Sequence, residues 1–323
     1  MGHPARHECI SEMFQAQAAR TPDVVAVMHG REALTYRELD ARASALAGVL
    51  RGAGAGPETV VGICAWKSIE MVVAVLATLK AGGAYTSLDP ALPDARLTWM
   101  ARDCGAVAVL TTRELAPRLP DVSRVIRLDV DEDVDAGVDL AEPVTHRTDR
   151  ESPVYVIYTS GSTGQPKSIA MVHRAAVNLV EWEVQRSSLP AGARTLQFAS
   201  LSFDVSFQEI FATLCGGGTL VLLPEALKRD AARLLAFVDE HQVQRLYLPV
   251  VALEQLAKAA TAARRAPRSL RTIIVAGDRL QVTGAVRSFF ERLPPGATLE
   301  NQYGPSETIQ VTSFILQGAP AGG

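Results

Sequence analysis

The sequence predicts an α/β protein made of two similar subdomains, each a mostly parallel sheet flanked by helices. Short runs that are apolar on both faces, such as residues 60–65 and 107–110, alternate with amphipathic helical patterns. Such runs are typical of parallel strands covered by helices. An acidic, aperiodic stretch at 129–153 interrupts the alternation. We therefore predict one subdomain at 1–150 and a second at 151–323.

Capping residues and apolar patterns predict the helices and strands of the first subdomain. Thr35 and Glu38 have the spacing of a capping box, in which each side chain satisfies a free N–H at the start of a helix. Ser68 precedes another apolar helical pattern and is predicted to cap it. The other predicted elements are a helix at 11–19, strands at 24–28, 60–65, 84–88 and 107–110, and a helix that starts at Asp94.

The second subdomain repeats the alternation. Its predicted strands lie at 154–157, 169–172, 194–198, 219–223, 245–248, 272–275 and 297–300, and its predicted helices at 174–185, 204–214, 230–240, 250–259 and 281–291. Open α/β sheets bind ligands at the carboxyl ends of their strands. We therefore expect a site in a crevice between the two subdomains.

The composition is that of an ordinary globular protein. The chain has 323 residues, of which 48% are hydrophobic and 21% charged, and its net charge is -3. A pI near 6.1 without a basic cluster argues against nucleic acid or an anionic membrane as a partner. No apolar run is long enough to cross a bilayer, and residues 1–7 lack the apolar segment of a signal peptide. We expect a cytoplasmic protein.

Cysteine and histidine offer little chemistry. The four cysteines are too widely spaced for a zinc or redox motif, and Cys64 lies in an apolar run that predicts burial. Of the six histidines only His173 lies near a motif. We expect His173 to be structural.

A loop rich in glycines and hydroxyl groups joins the predicted strands 154–157 and 169–172. It is Tyr158-Thr-Ser-Gly-Ser-Thr-Gly-Gln-Pro-Lys167. Glycines let backbone N–H groups turn toward an anion, hydroxyls add donors, and the lysine adds a mobile positive charge. This composition predicts a phosphate-binding loop, although a flexible surface turn would have a similar one. The P-loop pattern of NTPases does not fit, because Pro166 stands where it needs a glycine.

Five motifs in order carry a resemblance to a known superfamily. The loop ending at Lys167 resembles the signature of the adenylate-forming enzymes, which include acyl-CoA synthetases, luciferases and the amino-acid-activating domains of nonribosomal peptide synthetases. Four further segments resemble core motifs of a peptide synthetase adenylation domain: Leu34-Thr-Tyr-Arg-Glu-Leu39, Leu79-Lys-Ala-Gly-Gly-Ala-Tyr85 with Leu88-Asp-Pro90, Phe203-Asp-Val-Ser-Phe-Gln-Glu209, and Asn301-Gln-Tyr-Gly-Pro-Ser-Glu307. The resemblance extends over residues 11–312.

The resemblance implies an ATP-dependent ligase that also uses Mg²⁺. A substrate carboxylate attacks the α-phosphorus of ATP and pyrophosphate leaves, so the protein must neutralise and align two anions. The implied catalytic residues are Lys167, which escorts pyrophosphate, Thr163, and Glu307, which binds the metal. The implied ATP-binding residues are Thr159, Ser160, Gly161, Ser162, Thr163, Gly164, Lys167, Asn301, Tyr303, Gly304 and Ser306.

Asp204 separates classes within the superfamily. It starts the predicted helix 204–214, where the simplest interpretation is a helix cap. In amino-acid-activating domains the matching aspartate pairs with the substrate α-ammonium, for which acyl-CoA synthetases have no need. The other substrate-binding positions, carried over from a phenylalanine-activating domain, are Val205, Gln208, Tyr247, Ile274, Ala276, Gln302 and Gln310.

The first six letters of this pocket code are Asp-Val-Gln-Tyr-Ile-Ala, and they resemble codes associated with proline. Gln302 and Gln310 depart from the usual ending of such codes. We expect proline or a related medium-sized amino acid as the substrate.

Members of the family continue beyond the last matching motif. A β-rich third subdomain follows, and then a small C-terminal domain that delivers a catalytic lysine. Nothing after Glu307 resembles either element, so we expect these residues to be about two-thirds of the large domain and, alone, to catalyse weakly or not at all. The alternatives are an acyl- or aryl-acid-CoA ligase, and a non-catalytic interaction or nucleotide-binding module that kept the fold.

The resemblance also implies partners. They are an amino acid substrate, a phosphopantetheinyl carrier (PCP) domain that accepts the aminoacyl group as a thioester, and a condensation domain of the same assembly line. The Ala/Arg-rich composition suits a small MbtH-like helper protein. The implied setting is antibiotic biosynthesis.

Overall fold

The computed structural model describes residues 7–119, 124–130, 148–159 and 166–317. Its helices are α1 (Ile10–Arg20), α2 (Tyr36–Gly52), α3 (Ile69–Ala81), α4 (Asp94–Asp103), α5 (His173–Arg186), α6 (Val205–Leu214), α7 (Ala231–Glu240), α8 (Val250–Ala263) and α9 (Gly284–Arg292). Its strands are β1 (Val25–His29), β2 (Glu32–Thr35), β3 (Val60–Cys64), β4 (Ala84–Ser87), β5 (Ala108–Thr111), β6 (Val125–Arg127), β7 (Pro153–Thr159), β8 (Lys167–Val172), β9 (Arg194–Gln197), β10 (Thr219–Leu222), β11 (Arg245–Pro249), β12 (Thr272–Ala276), β13 (Thr298–Tyr303) and β14 (Thr312–Gln317).

The chain forms two compact units, and each contains segments from distant parts of the sequence. The first comprises Met1–Val24, Leu34–Trp182 and Ser200–Phe203. The second comprises Val25–Ala33, Glu183–Ala199 and Asp204–Gly323.

The first unit contains a sheet of strand order β6-β5-β3-β4-β7-β8. Its strands pair in parallel except at β7 and β8, which form an antiparallel hairpin. The capping box at α2 is confirmed: Glu38 N–H donates to Thr35 Oγ1 over 3.3 Å, and Thr35 N–H donates to Glu38 Oε2 over 2.8 Å. Ser68 likewise caps α3 by accepting from Met71 N–H. These local signals start the helices where the sequence predicts them.

The second unit contains a sheet of strand order β14-β13-β12-β11-β9-β10-β1-β2. In this order, each neighbouring pair between β13 and β1 is parallel, and β13 pairs with β14 in antiparallel fashion. One face of this sheet, with Leu246, Val275 and Leu299, packs into an apolar core with α7, α8 and α9. The other face carries Tyr247, Ile274, Ala276 and Gln302, because side chains on a strand alternate between faces.

The predicted fold class, two mostly parallel sheets flanked by helices, is confirmed. The predicted boundary at 150 needs correction, because β7 and β8 pair with β4 in the first sheet and β1 pairs with β10 in the second. Strand pairing across the acidic stretch therefore overrides the break in sequence pattern. Among the described residues, no helix has the length and apolarity to cross a membrane.

Candidate active site

The predicted phosphate loop leaves and rejoins the first sheet at the hairpin of β7 and β8. Thr159 and Lys167 are directly opposite each other at the end of this hairpin, and Lys167 is exposed. Tyr158, the first residue of the motif, donates a hydrogen bond from its hydroxyl to Asp103 Oδ2 over 2.7 Å. The loop residues Ser160, Gly161, Ser162, Thr163 and Gly164 lie outside the described residues, so their predicted contacts stay predictions.

A cavity of about 260 Å³ lies in the first unit where β4 and β7 end. Its lining includes Ser87 and Asp89 after β4, Tyr158 at the end of β7, and Arg96 on α4. Carboxyl ends of parallel strands are where α/β proteins bind ligands. A partly polar cavity therefore adjoins the start of the predicted phosphate loop.

The motif 301–307 begins on β13 and continues into a turn. Asn301, Gln302 and Tyr303 are the last residues of the strand; the Gln302 side chain is 4% exposed and the Tyr303 side chain 68%. Gln302 lies on the face of Glu300, whereas Tyr303 is the last residue of the strand and does not belong to the apolar core that covers Leu299. The Tyr303 ring thus offers an open aromatic surface. A turn follows the strand, with Thr308 N–H donating to the Pro305 carbonyl over 2.9 Å.

Gly304 permits a close approach between two backbone segments. A Cβ atom at this position would lie 2.3 Å from the carbonyl oxygen of Ile309 and 2.7 Å from Gln310 Cα. Val311 N–H then donates to the Tyr303 carbonyl over 2.8 Å, which returns the chain to the strand. Glycine at 304 therefore places Gln310 beside the end of β13. Ser306 is half-buried on this turn and Glu307 is exposed.

Asp204 lies at the start of α6 without capping it. The described backbone N–H groups of α6 make no cap hydrogen bond to its side chain, so the structure does not support the helix-cap interpretation. The carboxylate is half-buried, and this burial raises its pKa. A carboxylate withdrawn from water is stabilised in its charged form by a nearby cation. Asp204 is therefore suited to bind an ammonium group.

Two more predicted pocket residues of α6 follow Asp204. Val205 is half-buried on the first turn, and Gln208 is buried one turn later. Gln208 Nε2 donates a hydrogen bond to Gln310 Oε1 over 3.2 Å. These two pocket residues, 102 positions apart in the chain, are thus in direct contact.

Four other predicted pocket residues lie on one face of the second sheet: Tyr247, Ile274, Ala276 and Gln302. Tyr247 on β11 pairs with Ile274 on β12, which pairs in turn with Glu300 on β13. Ala276 and Gln302 lie two residues further along their strands and therefore on the same face. These four predicted substrate-binding residues of the second unit thus lie close together, near the carboxyl ends of adjacent strands.

A buried carboxylate near the end of α5 joins two of these pocket residues. Glu183 Oε2 accepts a hydrogen bond from the Tyr247 hydroxyl over 3.0 Å, and its Oε1 accepts one from Gln302 Nε2 over 3.0 Å. Gln302 Nε2 also donates to Glu300 Oε1, which forms an ion pair with Arg186 over 2.8 Å. Burial raises the pKa of Glu183 and holds that of Tyr247 well above its ordinary value.

Sequence reasoning missed both carboxylates of this network. Glu183 belongs to an amphipathic helical pattern, in which a glutamate is normally exposed. Glu300 did carry a signal, because it is a charged residue in a strand predicted to be buried. A charged residue in such a strand, directly before Asn301, is a signal that could have indicated a polar cluster next to the predicted pocket residues.

The prediction that His173 is structural agrees with its surroundings in the first unit. The side chain is fully buried at the start of α5, and its Nδ1 accepts a hydrogen bond from Ile10 N–H over 3.3 Å. Burial lowers the pKa of His173 to about 4. The imidazole is therefore neutral at physiological pH and joins α1 to α5.

The family model of AMP-binding enzymes matches residues 14–322, and the chain therefore belongs to this family. The resemblance to peptide synthetase adenylation domains is confirmed by individual relatives. Tyrocidine synthase 2 of Brevibacillus parabrevis is 37% identical over 310 residues, 96% of this chain. Gramicidin S synthase 2 of Brevibacillus brevis is 35% identical over 307 residues, 95% of this chain.

Solved structures agree with these relatives. A crystal structure of the nonribosomal peptide synthetase FmoA3 has a TM-score of 0.88 and 31% identity, and the match covers 98% of this chain and 34% of that one. Its AMPPNP-bound form has a TM-score of 0.85 and 32% identity over 95% of this chain and 32% of that one. The chain spans only 8% of the length of tyrocidine synthase 2 and 7% of that of gramicidin S synthase 2.

Proposed function

We propose that these residues are part of a ligase that activates an amino acid with ATP. The amino acid carboxylate attacks the α-phosphorus, the bond to pyrophosphate breaks, and an aminoacyl adenylate forms. A phosphopantetheinyl carrier then accepts the aminoacyl group as a thioester. The observation that carries the proposal is Asp204, a half-buried carboxylate without a cap hydrogen bond to α6 that begins the set of pocket residues in the second unit.

Charge decides between the amino acid and the competing acyl or aryl acid substrate. Withdrawing a carboxylate from water is costly unless a cation compensates it. An α-ammonium group supplies that cation, whereas a fatty or aryl acid supplies none. Burial raises the pKa of Asp204, although backbone hydrogen bonds from Val205 and Asp204 oppose the rise, so a nearby cation would stabilise the ionised carboxylate. This favours the amino acid.

ATP would be held by residues of two motifs, the phosphate loop that ends at Lys167 and the segment 301–307. In our proposal the Tyr303 ring stacks on adenine, Asn301 binds its amino group, and Gly304 and Ser306 shape the turn beside it. The exposed face of Tyr303 fits this role, since aromatic rings stack on bases. Thr159, Ser160, Gly161, Ser162, Thr163 and Gly164 would surround the phosphates, and Lys167 would neutralise the leaving pyrophosphate.

Magnesium is proposed to bind at Glu307. This carboxylate is exposed on the turn after β13, and carboxylate oxygens are preferred ligands of Mg²⁺. When bound, the ion neutralises phosphate charge. Glu307 would hold it beside the turn that contains Ser306.

We propose proline or a related medium-sized amino acid as the substrate, because the first six code positions, from Asp204 to Ala276, resemble codes associated with proline. Support for the wider setting comes from the relatives, which are named as synthases of tyrocidine, gramicidin S and bacitracin. A carrier domain, a condensation domain and an MbtH-like helper are accordingly proposed as partners. One FmoA3 structure is described as an α-methyl-L-serine-AMP bound form, which is an aminoacyl adenylate.

Exchange of radiolabelled pyrophosphate into ATP tests this function. We expect the full-length gene product to catalyse exchange that depends on proline or a close analogue, and residues 1–323 alone to be much slower. Exchange driven by acyl or aryl acids but by no amino acid would establish the competing ligase. ATP binding without exchange in the full-length gene product would establish the non-catalytic module.

A further inference from the structure

Glu183 uses up the hydrogen-bond donors of two pocket residues. Its two oxygens accept from the Tyr247 hydroxyl and from Gln302 Nε2, each over 3.0 Å. The second hydrogen of the Gln302 amide goes to Glu300 Oε1, also over 3.0 Å. A phenol has one donor and a primary amide has two, so none is left over. Both Glu183 and Glu300 accept, which fixes the orientation of the Gln302 amide.

The polar atoms that remain on these two predicted pocket residues are acceptors. They are the Tyr247 oxygen, through its lone pairs, and the Gln302 carbonyl oxygen. No described residue donates a hydrogen bond to either atom. A carboxylate contains only acceptors when ionised, so it finds no partner beside these atoms and is repelled by them.

We propose that Glu183 is a specificity-determining positioning residue, which excludes amino acids with anionic side chains by occupying the donors of Tyr247 and Gln302. This inference rests on the proposed amino-acid activation and adds a residue outside the predicted pocket positions. Glu183 acts through its neighbours and does not touch the substrate. Arg186 belongs to the same network through its ion pair with Glu300, and the charge of Arg245 partly opposes the burial that raises the pKa of Glu183.

The test compares amino acids that differ only in side-chain charge. Pyrophosphate exchange by the full-length gene product is measured with glutamine against glutamate and with asparagine against aspartate, alongside proline. The variant Glu183→Gln keeps the shape of the side chain but accepts at only one oxygen, so it releases a donor toward the pocket. We expect the ratio of kcat/KM between the neutral and anionic members to fall about tenfold, which is the effect of one hydrogen bond to a charged group. The change should lie in the KM of the amino acid and leave the KM of ATP unaltered.

Two further variants make the outcome decisive. Glu181→Gln is the matched control, because Glu181 is on the same helix, two residues away and outside the network, and its ratio should equal that of the native enzyme. Glu183→Met removes both acceptors with a side chain of similar volume, and it tests the inference should the glutamine variant fail to fold. We expect it to lower the ratio further.

Failure of the inference and failure of the function are distinguishable. If the native enzyme activates amino acids but the Glu183 variants keep its neutral-to-anionic ratio within twofold, the role of Glu183 is wrong and the proposed function stands. If no amino acid supports exchange by the native enzyme, both proposals fall.

Discussion

Asp204 and Asp230 occupy the same position on two helices, yet only Asp230 caps its helix. Asp230 Oδ1 accepts a hydrogen bond from Arg233 N–H over 3.0 Å, whereas the described residues of α6 make no such bond to Asp204. Asp204 is half-buried, and burial raises its pKa. A residue that gives its helix no cap and loses hydration is better explained by a ligand than by local stability.

Replacing Asp204 should therefore affect the substrate and spare the fold. We expect Asp204→Asn to raise the amino acid KM in pyrophosphate exchange about 10²-fold, because removing one partner of a partly buried ion pair leaves the ammonium group uncompensated. The KM of ATP and the thermal midpoint should stay near native values.

Asp230→Ala serves as the control for that substitution. Loss of its cap should lower the free energy of unfolding by about 1 kcal/mol and leave the amino acid KM unchanged. A native amino acid KM in the Asp204→Asn variant would contradict the assignment of Asp204 to the α-ammonium.

At the scale of elements, one contact between α1 and α5 makes the first unit sensitive to pH. His173 is buried and its pKa is lowered to about 4 from an ordinary value of 6.5. Between these values the unfolded state binds a proton that the folded state excludes. Stability due to the neutral imidazole is therefore complete above pH 6.5 and is lost as the pH falls toward 4.

We expect the free energy of unfolding of the first unit to fall by about 1.4 kcal/mol per pH unit in this window from His173 alone, or roughly 3 kcal/mol in total. Urea unfolding followed by tryptophan fluorescence measures it selectively, because Trp66, Trp99 and Trp182 all belong to the first unit. His173→Asn keeps an acceptor for Ile10 N–H and should flatten the pH dependence by that slope.

His29→Asn, in the second unit, is the matched control and should leave the fluorescence transition unaltered. An unchanged slope in His173→Asn would show that other groups cause the acid sensitivity.

Most elements were predictable because their signals are local. The capping box of Thr35 and Glu38, the Ser68 cap and the apolar runs of β3, β11 and β12 each specify a helix start or a strand by themselves. The strands β6 and β14 were missed. Val125–Arg127 is only three residues long, and Thr312–Gln317 is an edge strand with exposed Phe314 and Ile315, so neither has the pattern of a buried strand.

The candidate site was predictable only where a motif could be carried over. Asp204, Gln208 and Gln302 lie in such motifs, and Tyr247 comes from the pocket code. The structure brings Gln208 to Gln310 and joins Tyr247 to Gln302 through Glu183, while their roles toward a substrate stay predictions. Glu183 itself could not be found this way. Its role depends on hydrogen bonds from Tyr247 and Gln302, and a helical pattern does not reveal hydrogen bonds between distant segments.

At the scale of the whole molecule, each unit is assembled from segments far apart in the chain. Val25–Ala33 belongs to the second unit although the segments on either side of it belong to the first. A boundary drawn from composition at residue 150 could not anticipate this, because pairing partners are set by the whole sheet. The two sets of predicted site residues, Thr159 with Lys167 and the pocket of the second unit, accordingly lie in different units. Their predicted meeting in a common crevice stays a prediction.

We propose that Asp204 binds the α-ammonium group of an aminoacyl adenylate and that the adenine of the same molecule contacts Tyr303. A crystal structure of the full-length gene product with a non-hydrolysable prolyl-adenylate analogue tests it most directly. We predict an Asp204 carboxylate oxygen about 3 Å from the ammonium nitrogen, the distance of a charge-assisted hydrogen bond, and the Tyr303 ring stacked on the base. An analogue bound elsewhere, or with its ammonium group far from Asp204, would contradict the account.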